Sequence, residues 1–482
     1  MNRRSLLRSG AALAFAAPFA RLHAGERALP GELVPVTDAA TGLDLVKLPK
    51  GFSYRSLSWT GDAMSGNTPT PSRHDGMAAF AAPDGGVTLL RNHEETVLER
   101  FGDADVPTYD DFVIPPSEEL PDGFPGFGGG VTGVFHAERG APVTRPLLAG
   151  TATNCAGGPT PWGSWLTCEE IVLRTSKAGA KDHGYVFEVP AVGAASAQPI
   201  VDMGLFRHEA AAVDPETGIV YLTEDNGGNS GFYRFLPNDT ARRAGALEAG
   251  GRLEALRVRG EPGADLQQPV TGATYAVDWV AIAEPDLDPE GFHPEMFGGN
   301  VVGTGRSGPF LQAEADGAAR FNRGEGAWHH GESIYWVDTA GGAAGAGAVW
   351  VYEPRTETLR ALYVSPGETT ADAPDNITVH SNGLILACED GYGHVDESGT
   401  ARGTRLLAVG REGNVFVVGE NNMRLEAPIE GKPAIEANDY SSSEWAGATF
   451  SPDGQTLFVN IQSPGVTLAI NGPWDALAAG IV

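Results

Sequence analysis

The sequence predicts an all-β protein folded as a six-bladed β-propeller, with long inserted loops and a few short helices. Among its 482 residues are 65 glycines and 34 prolines, a content that suits a turn-rich β protein and disfavours long helices. Six short hairpins also recur, each with turn-forming residues at the tip followed by an apolar or alternating strand. Their tips are residues 83–86, 161–163, 215–218, 330–332, 381–383 and 451–454.

Candidate metal ligands flank these hairpins. Five of the six second strands run out into acids, namely Glu94-Glu95, Glu169-Glu170, Glu224-Asp225, Asp338 and Glu389-Asp390, whereas the sixth ends in Asn460 and Gln462. The residues before the hairpins are His74-Asp75, Asn154-Cys155, His208-Glu209, Gly324-Glu325, Asp375-Asn376 and Glu444. The start of the first strand and the end of the second lie at the same end of an antiparallel hairpin. Six such units around one axis would therefore bring both sets to one mouth, which predicts a polymetal site.

The organisation along the chain indicates one catalytic domain over residues 25–482. Residues 33–60 contain a strand-forming segment at 52–57 that would complete the last blade and hide its edge. Residues 96–130 are predicted to form a long functional loop. Residues 237–320 form the longest interval between hairpins; we expect a helical patch at 275–282 there, as part of a lid or rim.

The N-terminus predicts export. Arg3 and Arg4 precede an apolar run from Ala11 to Ala20, which is typical of a Tat signal peptide and too short to span a membrane. We interpret residues 1–24 as that signal, so the Tat machinery is an expected partner. The mature chain would be a periplasmic or secreted monomer without a membrane anchor. An amphipathic or disordered N-terminus is the alternative interpretation.

The formal net charge of −29 restricts the partners of this protein. Binding to nucleic acid by phosphate neutralisation is excluded, and an anionic membrane surface would repel the chain. Most of the acidic surplus is explained by a solubilising surface. The acids at the strand ends differ because they recur in register, and hard cations such as calcium take six to eight oxygen ligands.

Three cysteines, Cys155, Cys168 and Cys388, cannot all pair in disulfides. Cys168 and Cys388 end apolar strands, where a buried free cysteine is the ordinary interpretation. Cys155 lies in a glycine-rich loop at the ligand end of its hairpin. From the residues alone it is a metal thiolate, a nucleophile or a plain loop residue.

Several runs resemble the PhoX-type alkaline phosphatases from about residue 33 to the C-terminus. They are Asn154-Cys155-Ala156-Gly157-Gly158, Thr167-Cys168-Glu169-Glu170, Arg207-His208-Glu209-Ala210, Arg323-Gly324-Glu325-Gly326, Pro374-Asp375-Asn376-Ile377, Cys388-Glu389-Asp390-Gly391 and residues 444–450. The resemblance implies a Tat-exported, largely six-bladed propeller that hydrolyses phosphomonoesters. It also implies an iron–calcium cluster with a pair of ferric ions held partly by a cysteine thiolate.

The resemblance further implies roles for individual residues. Cys155 would bind iron, and Glu209 and Glu325 would belong to the same centre. The iron and calcium sites would also include Asp75, Glu169, Glu170 and Asp375. Arg323 and His208 would contact the phosphoryl group. The hairpin pattern adds Glu94, Asn376 and Glu389 as metal ligands.

The physical chemistry agrees with that function. An acidic protein would repel a phosphomonoester dianion unless cations at the mouth outnumber the carboxylates. We expect in-line attack by a metal-bound oxo or hydroxide group rather than a covalent serine intermediate, because the sequence has no Gly-x-Ser-x-Gly elbow. Two alternatives are a calcium-dependent propeller lactonase or phosphotriesterase, and a non-catalytic ligand-binding propeller stabilised by calcium.

Overall fold

The structure is a computed structural model that describes residues 31–66, 68–82, 85–118, 120–136, 142–176, 179–287, 305–391, 393–395 and 399–482. The predicted signal peptide lies outside these residues. Strands dominate the described chain, in which the two α-helices are α1 (Gly308–Ala315) and α2 (Trp474–Ile481). Neither helix has the length and apolar character that a membrane-spanning helix requires.

The strands follow one another in short antiparallel runs. In chain order they are β1 (Leu33–Val36), β2 (Val46–Pro49), β3 (Ser53–Leu57), β4 (His74–Ala81), β5 (Val87–His93), β6 (Gly129–His136), β7 (Val143–Thr151), β8 (Asn154–Pro159), β9 (Ser164–Glu169), β10 (Val186–Pro190), β11 (His208–Val213), β12 (Val220–Glu224), β13 (Phe232–Pro237), β14 (Gly251–Val258), β15 (Thr274–Ala281), β16 (Gly324–His330), β17 (Ser333–Asp338), β18 (Ala348–Glu353), β19 (Thr358–Val364), β20 (Pro374–Val379), β21 (Ile385–Glu389), β22 (His394–Val395), β23 (Ala401–Arg402), β24 (Arg405–Val409), β25 (Val415–Asn421), β26 (Trp445–Phe450), β27 (Thr456–Ile461) and β28 (Val466–Asn471).

The six hairpins predicted from the sequence all form. They are β4–β5, β8–β9, β11–β12, β16–β17, β20–β21 and β26–β27, each antiparallel. The predicted tips lie between these strands, although residues 83 and 84 are outside the described chain. The turn residues and alternating strands were therefore sufficient to locate these units.

The hairpins are arranged like the blades of a propeller. The first strands of the hairpins (β4, β8, β11, β16, β20 and β26, called the inner strands below) each contact the next in this order, and β26 contacts β4 to close the ring. Further strands extend the hairpins outward. The resulting sheets are β4-β5-β6-β7, β8-β9-β10, β26-β27-β28-β3, β20-β21-β24-β25 with β2 and β1 added, and a nine-stranded sheet in which β11 to β15 meet β19, β18, β17 and β16.

The ring is closed by a strand from the N-terminal part of the described chain. β3 pairs with β28 in antiparallel register, from Ser53 opposite Asn471 to Leu57 opposite Thr467. This pairing confirms the predicted role of the segment at 52–57. It also covers a sheet edge that would otherwise expose unpaired backbone groups.

The hydrophobic core lies between neighbouring sheets. In β12, Tyr221 packs in one cluster with Trp336, whereas Val220 and Leu222 pack in another with Leu166. Successive side chains of a strand point to opposite faces. Both faces of this sheet are therefore buried, as expected for a sheet between two others.

The predicted helical patch at 275–282 is wrong, because residues 275–281 lie in β15. Tyr275, Val277 and Trp279 share one face and pack in the cluster around Trp336. β15 pairs with β14 and with β19, so its apolar residues follow the period of two of a strand rather than that of a helix.

Candidate metal centre

Every hairpin carries a β-bulge near the start of its inner strand. The pairing shifts between His74 and Met77, Asn154 and Gly157, His208 and Ala211, Gly324 and Ala327, Pro374 and Ile377, and Ala446 and Thr449. A bulge places an extra residue on one strand and redirects its side chain. The first bulge residues are Asp75, Cys155, Glu209, Glu325, Asp375 and Gly447. Five of the six bulges therefore present a metal-type donor.

Small residues in these bulges let the inner strands approach closely. A Cβ atom placed on Gly76 would lie 2.6 Å from Cα of Ala156, and one on Gly326 would lie 2.7 Å from Cα of Asn376. Gly447 adopts φ +60°, and a Cβ there would lie 2.3 Å from the Asp75 carbonyl oxygen. The backbones are thus nearly in contact around the axis, and their donor side chains converge.

The open ends of the six hairpins lie together and are called the mouth below. The same backbone hydrogen bond closes each of these ends. The N–H after each second strand donates to a carbonyl just before the inner strand. The pairs are Glu94 to Arg73 (3.0 Å), Glu170 to Thr153 (2.8 Å), Asp225 to Arg207 (3.1 Å), Thr339 to Arg323 (2.9 Å), Asp390 to Ala373 (2.9 Å) and Gln462 to Glu444 (3.2 Å). Four of the acceptor residues, Arg73, Thr153, Arg323 and Ala373, adopt positive φ. This local bend directs the flanking donors to one edge.

The donor side chains form three groups that share members. Within each group the ligand atoms lie within 4.8 Å of one another. The groups are Cys155, Glu170 and Glu209; Glu209, Glu325 and Asp375; and Asp375, Asp390 and Glu444. Glu209 and Asp375 each belong to two groups, so the three form one continuous chain of ligands.

These donors are buried without enough positive charge around them. Burial and the charges of Glu325 and Asp375 raise the pKa of Glu209 well above its usual range. Burial, together with the charge of Asp390, raises the pKa of Asp375 to about 8. The pKa of the Cys155 thiol is also raised well above its usual value, chiefly by burial. Such a set is stable either as protonated acids or as ligands of bound cations.

Unsatisfied oxygen atoms point to cations. Both carboxylate oxygens of Glu209 and Oδ1 of Asp75 are buried without a hydrogen-bond partner. Buried polar atoms in proteins are almost always paired. The donor chemistry also fits bound cations: carboxylate oxygens suit hard ions such as calcium, and a thiolate suits a transition metal.

Three arginines line the mouth beside these groups, with side chains between a third and about two fifths exposed. Arg323 donates to Asp225 through Nε (2.8 Å) and Nη2 (3.1 Å), and its Nη2 lies 3.0 Å from Oε1 of Glu325. Arg207 contacts Glu170 and Asp225, and Arg73 contacts Glu94. The mouth therefore presents guanidinium groups to solvent above buried carboxylates.

The chain matches a known family over nearly its whole length. Residues 31–114 and 136–465 match the family described as alkaline phosphatase PhoX. The chain belongs to the PhoX family.

A solved structure has a similar fold. This PhoX chain is similar to Pseudomonas fluorescens PhoX in complex with vanadate, a transition state analogue. The TM-score is 0.60 at 18% identity, over 94% of this chain and 99% of that chain. A comparison with curated proteins finds no match.

Two other structures are more distant. A gluconolactonase from Xanthomonas campestris has a TM-score of 0.38 at 12% identity, over 92% of this chain and 98% of that chain. A virginiamycin B lyase from Staphylococcus aureus has a TM-score of 0.36 at 10% identity, over 87% and 99%. Nothing about function follows from either.

Five of the ten predicted ligands meet in the three groups at the mouth. Cys155, Glu170, Glu209, Glu325 and Asp375 belong to the three groups. Asp75 and Glu94 lie outside the groups. Gln462 links these two carboxylates, since its Nε2 donates to Oδ2 of Asp75 (3.0 Å) and to Oε2 of Glu94 (2.7 Å).

Glu169 and Glu389, also predicted as ligands, are held within their own sheets and do not join the groups. Glu169 accepts hydrogen bonds from the backbone N–H groups of Ala152, Gly184 and Tyr185 and from His183. Glu389 accepts from the N–H of Asp372 and from Arg405. Neighbouring strand residues face opposite ways, so Glu170 and Asp390 reach the mouth while Glu169 and Glu389 hold loops of their own sheets.

His208 also faces away from the mouth. Its Nε2 donates to the carbonyl oxygen of Gly204 (2.9 Å), and its ring lies 3.6 Å from that of Phe206. Burial lowers the pKa of His208 to about 3, so the imidazole is neutral. The predicted contact with a phosphoryl group therefore disagrees with this geometry. Glu209, its neighbour, takes the opposite face.

The side chain of Asn376 is likewise occupied. Its Nδ2 donates to Oδ1 of Asp375 (2.6 Å), and its Oδ1 accepts from the N–H of Gly447. The amide orients the candidate ligand Asp375 rather than presenting its own oxygen to the groups.

Sequence reasoning placed Asp390 and Glu444 among the acids that flank the hairpins but assigned no individual site role to them or to Arg207. Arg207 lies two residues before Glu209, the spacing that also separates Arg323 from Glu325 and Arg73 from Asp75. That shared spacing was a usable signal. Glu444 holds the position of Arg73 and Arg323 in the mouth hydrogen bond, which only the register reveals.

Proposed function

We propose that this PhoX-family chain is an iron- and calcium-dependent alkaline phosphatase that releases inorganic phosphate from phosphomonoesters by in-line attack at the metal centre. The observation that carries the proposal is the continuous chain of buried donors from Cys155 to Glu444, which opens at a mouth lined by arginines. The vanadate complex of Pseudomonas fluorescens PhoX supports it, since vanadate there is a transition state analogue.

The donor types suggest which ion each group would hold. Cys155, Glu170 and Glu209 would hold iron, because this group alone among the three offers a thiolate. Asp375, Asp390 and Glu444 offer only oxygens at the more exposed end and would hold calcium. The group of Glu209, Glu325 and Asp375 shares a residue with each of these two groups and would hold the second ferric ion of the proposed pair.

The arginines would bind and orient the phosphoryl group. Asp225 holds Arg323 through two hydrogen bonds, leaving the remaining edge of the guanidinium for an anion at the mouth. Arg207 shares the same carboxylate and would act beside it. Bound iron and calcium would supply the charge that polarises the phosphoryl oxygens and lowers the pKa of water.

We further propose a six-bladed propeller and an exported enzyme. The six hairpins with one bulge each, and the closed ring of inner strands, support the number of blades. The twin-arginine N-terminus supports cleavage near residue 24 and Tat export of a single catalytic domain, residues 25–482, to the periplasm or beyond. We propose that the mature enzyme is a monomer.

Chelation and elemental analysis test the function. Protein purified from an exporting host should contain iron and calcium, hydrolyse an aryl phosphate at alkaline pH and be inhibited by inorganic vanadate. Dialysis against a strong chelator should abolish turnover, and iron with calcium should restore it. Full activity in metal-free protein would refute the proposal.

The same preparation separates the alternatives. A calcium-dependent lactonase would hydrolyse a lactone and leave the aryl phosphate intact. A calcium-stabilised binding propeller would turn over neither substrate and would lack the absorption of a ferric thiolate.

A further inference from the structure

Asn92, on the second strand of the first hairpin, reaches across to the second hairpin. Its side chain is fully buried. Nδ2 donates to the carbonyl oxygens of both Cys155 (2.9 Å) and Ala156 (2.7 Å). Cys155 and Ala156 are the two residues of the bulge in β8. One amide group thus holds the backbone of the residue that offers the thiolate.

A bulge needs such support because its residues leave the regular ladder. Two residues of β8 face one position of β9 there, so some backbone groups lose their strand partner. An unpaired carbonyl buried in the interior is costly. The donors of Asn92 remove that cost and fix the local backbone at the same time.

The other end of the amide is held equally firmly. Oδ1 of Asn92 accepts from Nε1 of Trp165 (2.8 Å) and from Oγ1 of Thr167 (2.9 Å), both on β9. Thr167 in turn accepts from Nδ2 of Asn154, which precedes Cys155 (2.9 Å). All four side-chain hydrogen bonds of Asn92 are therefore directed to the hairpin that carries Cys155.

The same device recurs at two other boundaries between hairpins. Nδ2 of Asn460 donates to the carbonyl oxygen of Asp75 (2.6 Å). Oγ1 of Thr223 donates to the carbonyl oxygen of Glu325 (2.6 Å). In each case a residue near the end of one hairpin's second strand holds the bulge carbonyl of the next hairpin.

We propose that Asn92 is a positioning residue that sets the direction of the Cys155 thiolate, and that the inter-hairpin hydrogen bond is how neighbouring units keep their ligands in one cluster. This inference rests on the metal-dependent function proposed above. It assigns to Asn92 no contact with substrate or metal.

Cobalt binding to the full mature chain tests the inference. The protein is depleted with a chelator and titrated with Co²⁺, whose thiolate absorption reports coordination by Cys155 independently of turnover. Partners that orient a ligand typically change metal affinity 10–100-fold when removed. We expect Asn92→Ala to lower the affinity for Co²⁺, measured from the thiolate absorption, by at least about tenfold.

His380→Ala is the matched control. His380 is also buried, and its Nε2 donates to the carbonyl oxygen of Gly454 (3.0 Å) in the neighbouring hairpin, at the hairpin tips and therefore at the end opposite the mouth. It should lower the melting temperature as Asn92→Ala does while leaving the cobalt titration within about twofold of wild type. Should Asn92→Ala not fold, Thr167→Val tests the same hydrogen-bond network. We expect this variant to lower the affinity for Co²⁺ by about threefold.

The outcomes distinguish the two proposals. Equal cobalt titrations for wild type and Asn92→Ala, or for wild type and Thr167→Val if only that variant folds, would overturn the positioning role. Absence of a thiolate signal in the wild-type protein would instead overturn the metal role of Cys155, and the function proposed from it.

Discussion

Glu209 and Asp375 start different hairpins, yet their carboxylate oxygens lie within 4.8 Å of each other and each also joins a second ligand group. The bulges in β11 and β20 direct both side chains to the axis. Ligands shared in this way make the occupancy of neighbouring cation sites interdependent. Loss of one shared carboxylate should therefore affect more than one ion.

Glu209→Gln is expected to remove metal from two groups at once. The amide keeps the shape of the side chain but loses the charge that two cations would share, so kcat/KM should fall at least about 100-fold. Elemental analysis should show loss of more than one ion per chain. Glu254→Gln, on an outer strand, is the control and should keep the wild-type metal content; loss of a single ion in Glu209→Gln would contradict the shared role.

Cys155→Ala should remove the thiolate from its group and with it the iron proposed to bind there. We expect the visible absorption of a ferric thiolate to disappear and turnover to fall by at least about tenfold. Cys388→Ala is matched to it, because the Cys388 side chain is equally buried but packs in a hydrophobic cluster. Retention of colour and iron in Cys155→Ala would show that the thiolate is not a ligand.

Arg323→Lys should weaken the binding and orientation of the phosphoryl group at the mouth while leaving the metal content unchanged. A lysine cannot bind Asp225 through two parallel hydrogen bonds, so the cation loses its fixed orientation. We expect kcat/KM for an aryl phosphate to fall by about 10- to 100-fold, from the loss of one charge-assisted, bidentate contact. Arg355→Lys, in an exposed ion pair with Glu332, should behave like wild type. An unchanged kcat/KM would remove Arg323 from the phosphoryl site.

A buried histidine should make the protein less stable at high pH. Burial alone would lower the pKa of His183, but the charge of Glu169, the hydrogen bond to it and the Asp110 carboxylate 3.5 Å away raise that pKa to about 9. Because the folded pKa exceeds the ordinary value of 6.5, the stabilisation is complete below about 6.5 and is lost as the pH rises through 9.

Thermal unfolding from pH 6 to pH 10 measures this effect. The melting temperature of the wild type should fall across that range. His183→Gln should have a lower melting temperature than the wild type at pH 6, but its melting temperature should fall less between pH 6 and pH 10. Parallel curves for the two proteins would contradict the assignment.

The sequence predicted which donor side chains come together where the signal was local, but it did not predict the direction in which neighbouring side chains point. Cys155, Glu209, Glu325 and Asp375 were found because they stand at the same place before a hairpin, and the bulge there turns each of them to the axis. Glu169 and Glu170 are adjacent in sequence and chemically identical, so nothing in the sequence showed which of them faces the mouth. The register of β9 decides it, and Glu170 reaches the group of Cys155.

The amino-acid sequence by itself determined the six hairpins, the closing segment at 52–57 and the donor types at the mouth, since turn residues and alternating strands act over a few positions. The tertiary structure alone decided that His208 is buried against Phe206, that Glu444 joins Asp375 and Asp390, and that Asn92 holds the bulge of another hairpin. These relationships depend on how sheets distant in sequence pack around the axis. A bulge shifts the alternation of a strand by one residue, and that shift reverses which side chains face the axis.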